Sequence, residues 1–416
     1  MSPTVRIMIG LVLGLGLGIV LAAWSPTWRD GAIAVLDALG GVWLDALRMT
    51  IVPLVFALLV TGVAQAAGTL AAGGIAGRAL LLFAILLLVS AAVSVVTAGA
   101  LLDVWPPSPS ATAALRASLK TAGAVPPTPP FAEWLRSFVP NNAVKAAADG
   151  AMAPLVFFAL VFGLAATRIE PERRAQLFGF FDAVQAAMMV IVRWVLWVAP
   201  VGVFALGLVF GARTGVAGLG VLVQYVMVVS LMCLLAGLIA LVLGIVGGRV
   251  AVGRMLAALT PVTAVAISTQ SSLASLPTML EACEKLGLRT TVRDLVMPMA
   301  VALYRMTSPA GNIAVAVYVA HVYGIHLDPM HVVAGVVVAA LVSLAAVGIA
   351  SAVTFFTTLG PIFMAMGLPM ELLPLLLAVE TLPDLSRTIG NVAADVGVTA
   401  LLDRWTGRAA PSSEPA

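Results

Sequence analysis

Hydrophobic residues run along this chain in long blocks separated by short polar breaks. The first blocks predict membrane-length helices near 5–24, 41–67, 77–102, 147–167, 181–212 and 217–247, each long enough to cross about 30 Å of hydrocarbon. After residue 250 the pattern changes. The stretch 253–288 is apolar but is broken by Ser268-Thr269-Gln270-Ser271-Ser272 and by Pro277, and the next span, 293–324, is interrupted near Tyr304 to Gly311. The stretch 332–371 is long again, with Ser351, Thr354, Thr357 and Thr358 inside it, and the last span, 372–403, carries Glu380, Asp384, Arg387, Asn391 and Asp395. A broken segment followed by a span therefore occurs twice, at 253–324 and at 332–403. Interrupted segments in corresponding halves point to a transporter site at the bilayer midplane. Irregular backbone survives at that depth only against protein or a water-filled cavity. The organisation predicted is spans one and two at 1–76, spans three and four at 77–180, spans five and six at 181–250, a core at 251–405, and a disordered tail at 406–416. A Pro-, Ala- and Ser-rich insert at 103–146 reads as an outside loop with short helical pieces.

Composition makes the membrane reading firm. Of 416 residues 62% are hydrophobic and 10% charged, against about 25% charged in soluble chains. So few charges cannot cover a water-facing surface, and the chain reads as a multi-pass inner-membrane protein whose first partner is the lipid bilayer. The run Ile7 to Ala23 imitates a signal peptide, but so many spans follow that it reads as the first of them. With the N-terminus inside, Arg6, Arg78, Arg168, Arg173, Arg174, Arg249, Arg254, Lys285, Arg289, Arg293, Arg404 and Arg408 fall on the cytoplasmic side. Arg29, Arg116, Lys120, Arg136, Lys145 and Arg213 fall outside, half as many, as the positive-inside tendency requires. The net charge of +3 belongs to these loops and implies no nucleic-acid partner. Cys233 and Cys283 lie in apolar or interfacial segments and suggest neither a disulfide framework nor a metal site. His321, His326 and His331 are close in sequence, which a loop explains better than a ligand cluster. There is no Ser-His-Asp set, zinc motif or phosphate loop, so the chain reads as a non-enzyme without an organic cofactor.

The charges of the last span carry the chemistry. Each ionisable side chain at membrane depth costs about 2.5–3.5 kcal/mol on insertion scales. Glu380, Asp384, Arg387, Asn391 and Asp395 are spaced 4, 3, 4 and 4 residues apart, which puts them on one helix face. A salt-bridge ladder stapling helices is one account of such a stripe. Its three acids against one base favour another: the surplus acids need a cation or a proton, and Arg387 suits a substrate carboxylate through paired hydrogen bonds.

The run Asp384 to Asp395 matches the pattern Asp-x-x-Arg-Thr-x-x-Asn-x-x-x-Asp at every position. It resembles the last-span signature of the dicarboxylate/amino acid:cation symporters, the glutamate transporter family. Arg48 to Phe56, Met152 to Gly163, Ala199 to Leu206, the serine-rich Ser271 to Pro277 and Gly367-Leu368-Pro369 resemble further segments of that family, in order along the chain. The resemblance implies an all-α polytopic membrane protein with eight transmembrane helices, two re-entrant helical hairpins and inverted repeats. It also implies a homotrimer and an elevator-type transporter of glutamate, aspartate or related dicarboxylates. Arg387 would bind the substrate's side-chain carboxylate and Asp384 its amino group. Thr388, Asn391 and Ser308 would complete the site, and backbone around Ser271 and Ser272 would meet the main carboxylate. Asn391 and Asp395 would line a sodium site, with Glu380 and Arg305 beside the coupling machinery.

The chain departs from the family in the seventh span. Where Asn-Met-Asp-Gly-Thr is expected stands Tyr304-Arg305-Met306-Thr307-Ser308, so a sodium-ligating carboxylate has become the thioether of Met306. Val89 and Ser90 stand where Thr and Ser are favoured, and the second hairpin tip, Ala350 to Thr354, has no glycine. Arg305 places a fixed positive charge near the sodium position. It either replaces one sodium ion by pairing with Asp395 or Glu380, or balances extra carboxylate charge. The coupling ion is thus open between sodium and a proton. A receptor that binds a small carboxylate without transporting it is the alternative function.

Overall fold

The computed structural model describes residues 3–24, 28–72, 74–110, 112–113, 136, 139–345 and 351–407. Among these there is no strand, and six helices are long and apolar enough to cross a membrane. The chain opens with α1 (Pro3–Trp24), α2 (Arg29–Ala72) and α3 (Gly74–Val104). A short α4 (Ala143–Ala148), capped by Asn142 Oδ1 accepting from Lys145 N at 3.0 Å, leads into α5 (Met152–Ala166). Next come α6 (Pro171–Trp197), α7 (Ala199–Thr214) and α8 (Ala217–Gly248).

The stretch 181–212, read from the sequence as one span, is two helices that part at Val198. Pro200 explains the break: it has no N–H to offer Leu196 and its ring crowds that carbonyl. The expected insert at 103–146 lies mostly outside the described residues, as do 408–416 of the expected tail; α-helix continues through Gly407.

Beyond α8 the chain makes two hairpins, each followed by a broken helix. The first hairpin is α9 (Val252–Thr269) and α10 (Leu276–Lys285), turned at Gln270, whose φ of 50° is left-handed. The next span breaks into α11 (Thr290–Leu303) and α12 (Thr307–Tyr323) around Tyr304, Arg305 and Met306. The second hairpin is α13 (Pro329–Ala345) and α14 (Ser351–Met366). Its tip, 346–350, is outside the described residues, so the glycine-free tip read at Ala350 is too, and nothing is described of the side chains of 351–354. The last span, expected to be continuous, is α15 (Leu373–Val379) and α16 (Thr381–Gly407), with Glu380 at the joint. Pro383 leaves the Val379 carbonyl without its helical donor, which breaks the helix there.

Packing sorts these helices into two groups. In one, α1 lies along α7, and α2 packs on α5, α6 and α7. In the other, α8 lies along α16, α3 along α12, and both hairpins close against α12 or α16. The closest approaches are made by glycine. A Cβ on Gly14 would stand 2.3 Å from the Phe204 carbonyl oxygen, and one on Gly237 would stand 2.5 Å from Gly390 Cα. Without a hydrophobic drive between helices in lipid, such contacts supply the van der Waals energy that holds them. Gly14→Ala is expected to lower the apparent Tm of the purified protein in detergent. Gly16→Ala, whose Cβ meets nothing within 4 Å, is expected to leave it unchanged or raise it, because alanine favours helix by about 0.8–1.0 kcal/mol.

Candidate functional site

The breaks in α11–α12 and α15–α16 place polar side chains at the heart of the second group. Arg387 is buried, and its Nη2 donates to Glu380 Oε1 at 2.8 Å. Its Nη1 donates to Asn312 Oδ1 at 3.1 Å and reaches the Ser308 carbonyl at 3.5 Å. Tyr225, fully buried on α8, donates its hydroxyl to the other Glu380 oxygen, Oε2, at 2.5 Å. The Glu380 carboxylate is thus held between a cation on its own chain segment and a phenol from a helix 155 residues away. Charge-assisted bonds of this kind are about twice as strong as neutral ones, and they offset the desolvation of two buried ions.

Below this pair, Thr307 N donates to Asn391 Oδ1 at 3.1 Å. The Thr307 hydroxyl lies 2.8 Å from the same oxygen and 3.0 Å from the Arg387 carbonyl, and donates to one at a time. Ser94 Oγ on α3 donates to the Ala310 carbonyl at 2.7 Å, and Ser90 Oγ lies 3.0 Å from the Met306 carbonyl and 2.9 Å from that of Leu87 and donates to one at a time. One turn further along α16, Asp395 is 1% exposed, and neither carboxylate oxygen has a hydrogen-bond partner among the described residues. Met306 lies nearby in the break, its sulfur 2.8 Å from the Tyr304 hydroxyl.

Arg305, Ser308, Asn312, Phe355, Thr358, Glu380, Asp384 and Arg387 line one cavity. It offers about 20 Å³ to the centre of a water-sized sphere. That is room for one water molecule, so an amino acid enters only when the lining moves apart.

Five of the residues singled out in the sequence as substrate- or cation-facing therefore meet at this cavity: Arg387, Asp384, Glu380, Arg305 and Ser308. Thr388 is buried beside them and spends its hydroxyl on the Asp384 carbonyl at 2.9 Å. Asn391 is committed to Thr307. Ser271 and Ser272 do not line the cavity; Ser271 Oγ instead accepts from Ala274 N at 3.2 Å, tightening the hairpin turn. The Arg305 side chain makes no hydrogen bond or ion pair among the described residues, although it sits in the field of Asp384 and Asp395. Glu380, one of its two suggested partners, is bonded to Arg387.

Tyr225, Asn312 and Ser94 were not singled out in the sequence. The only signal each gave was a polar side chain inside an apolar block, and a lone hydroxyl there usually returns to its own helix. Their partners are set by packing over long separations, which no local spacing encodes.

A model of the sodium:dicarboxylate symporter family matches residues 4–405. The chain belongs to this family. It is 28% identical to the proton/glutamate-aspartate symporter of Escherichia coli (strain K12) over 96% of its own length and 92% of that protein's. It is 25% identical to a proton/sodium-glutamate symport protein of Bacillus caldotenax, covering 97% and 94%. It is 31% identical to the neutral amino acid transporter B(0) of Oryctolagus cuniculus, covering 96% and 80%. As a family member the chain is a multi-pass membrane protein and a secondary active symporter, not an enzyme, and a sodium ion or a proton couples transport in this family.

The ion pair gives this symporter a measurable signature. Arg387→Met leaves Glu380 buried and unpaired, and is expected to cost about 3–5 kcal/mol. Adding Glu380→Gln to Arg387→Met is expected to recover most of that loss. A double-mutant cycle on unfolding in detergent reads the coupling, and additive losses would show the pair to be idle.

Proposed function

We propose that the chain is a symporter of acidic amino acids such as aspartate and glutamate, driven by protons rather than by sodium alone. The carrying observation is that the guanidinium of Arg387 and the carboxylate of Asp384 line one cavity. Asp384 has no side-chain hydrogen bond among the described residues and suits an ammonium group. A pure dicarboxylate gains nothing from a carboxylate facing it. Arg387 suits the side-chain carboxylate, Thr388, Asn391 and Ser308 complete the site, and the Ser271–Ser272 hairpin turn closes over the main carboxylate. Asn391 and Asp395 remain as possible oxygen ligands for one sodium ion, but Met306 gives that ion no hard ligand.

Eight membrane crossings fit the helices α1, α2, α3, α5, α6–α7, α8, α11–α12 and α15–α16, with α9–α10 and α13–α14 as re-entrant hairpins. The mobile body would comprise 251–405 together with α3 and α8, which pack on it. The remaining helices would form a scaffold that assembles as a homotrimer in the inner membrane. The receptor alternative draws no support from the relatives, which are transporters.

One observation favours a second substrate class. With Arg387 bound to Glu380, the cavity suits a zwitterion, and the rabbit relative is named for neutral amino acids. Uptake of aspartate, glutamate, succinate and serine by proteoliposomes separates the readings. Aspartate or glutamate is expected to lead, with transport persisting when choline replaces sodium; collapse in choline would overturn proton drive. Arg387→Ala is expected to weaken aspartate about 10- to 100-fold while sparing serine, as the loss of a charge-assisted pair implies. Arg305→Met alone is expected not to create sodium dependence, because the Met306 thioether remains.

A further inference from the structure

We propose that Arg305 binds the α-carboxylate of the transported amino acid, so that Arg305 and Asp384 together read the backbone half of the substrate while Arg387 reads its side chain. This rests on the amino-acid reading above and names the residue that would hold one end of that substrate.

Arg305 is a cation with nothing to hold. It stands in the break between α11 and α12 and lines the cavity. Arginine keeps its charge at any depth, and a charge drawn out of water without a partner is destabilising. Yet the Arg305 side chain makes no hydrogen bond or ion pair among the described residues. Asp395 lies within its field, but neither oxygen of Asp395 accepts a hydrogen bond. Asp395 is also no part of the cavity wall, whereas Asp384 and Arg387 are. The partner that Arg305 lacks is therefore one the cavity receives, and it is an anion.

The wall carries charges that mirror those of an acidic amino acid. Arg387 and Arg305 are positive, and Asp384, within the field of Arg305, is negative. Aspartate and glutamate present two carboxylates and one ammonium group. Glu380 does not disturb the match, because it is already bonded to Arg387 and Tyr225. A guanidinium has five N–H donors, so Arg387 can hold Glu380 and a substrate carboxylate together.

The second carboxylate needs a second cation. The Ser271–Ser272 turn stands outside the cavity as it is, and of the residues in the wall only Arg305 adds a positive charge to that of Arg387. Its planar fork suits paired bonds to both oxygens of a carboxylate. A methionine, the residue the family pattern places here, has no donor to offer. A neutral amino acid fits the same assignment: its carboxylate and ammonium would take Arg305 and Asp384 and leave Arg387 with Glu380.

The test uses the full-length protein in detergent and three ligands of nearly equal size. Aspartate has both carboxylates, asparagine keeps only the α-carboxylate, and isoasparagine, the α-amide of aspartate, keeps only the side-chain carboxylate. Their affinities are measured by calorimetry in the wild type, Arg305→Met and Arg387→Ala. Arg305→Met is expected to weaken aspartate and asparagine about 10- to 100-fold, as the loss of a charge-assisted pair implies, and to leave isoasparagine nearly unchanged. Arg387→Ala is expected to give the opposite pattern, weakening aspartate and isoasparagine and sparing asparagine. Equal weakening of all three ligands by Arg305→Met would show a counter-charge to Asp395 rather than a carboxylate partner and would overturn the proposal. Unchanged aspartate and asparagine binding in that variant would overturn it too; the amino-acid reading survives both results. Arg305→Lys keeps the test decisive if Arg305→Met does not fold. It retains the charge but loses the fork, and is expected to weaken aspartate and asparagine by a smaller factor while again sparing isoasparagine; a loss shared by isoasparagine counts against the assignment. A wild type that binds none of aspartate, asparagine and serine would sink the amino-acid reading itself and this proposal with it.

Discussion

A guanidinium placed at membrane depth dictates much of this structure. Arg387 cannot be neutralised by losing its proton, because arginine stays charged in proteins. The fold must therefore bring it partners. Glu380, Asn312 and the Ser308 carbonyl do so from two broken helices. Glu380 reaches Arg387 from the joint at which Pro383 interrupts the last span, and Asn312 and Ser308 come from α12, the segment that starts after the Tyr304–Met306 break. Tyr304, Met306 and Glu380 at the two joints are buried against protein, which is how irregular backbone survives at membrane depth.

Much of the frame could be read from sequence. Apolar blocks and their interruptions gave an all-helical membrane frame, because lipid leaves backbone few options. The polar stripe from Glu380 to Asp395 gave the site's main helix by spacing alone. Three things were not legible. Pro200 falls inside a block whose hydrophobicity is unbroken and Pro383 inside a polar stripe whose spacing reads as one helix face, so only the missing N–H betrays the two breaks. The grouping of α8 with the C-terminal core depends on which faces carry glycine, and α3 reaches α12 through Ser90 and Ser94; a hydrophobicity pattern weighs neither. The third concerns partners: Arg305 was read as a possible mate for Glu380, yet Arg387 lies seven residues along the same segment and holds it, while the phenol that shares it comes from 155 residues away.

The orphaned Asp395 and the thioether of Met306 belong together. A site with one hard oxygen donor removed holds a small cation poorly, and the carboxylate left behind has no donor to replace it. Arg305 stands in the break with its side chain uncommitted and Asp395 within its field. On the function proposed above, the chain would retain groups for an amino acid's charges beside a weakened place for a metal ion, and the two halves of symport would stand under separate chemical control.

The glycine seam between α8 and α16 has a consequence for how the protein keeps time. Gly237 meets Gly390, and Gly244 meets Gly397, with no side chain between the backbones. Two rods joined so closely have no slack for sliding, and α8 carries Tyr225 on the same rod. The spacing between phenol and carboxylate is then held by the seam, much as the gauge of a track is held by its ties. Residues with no polar atom thereby fix the distance at which a phenol on one helix meets a carboxylate at the head of the other.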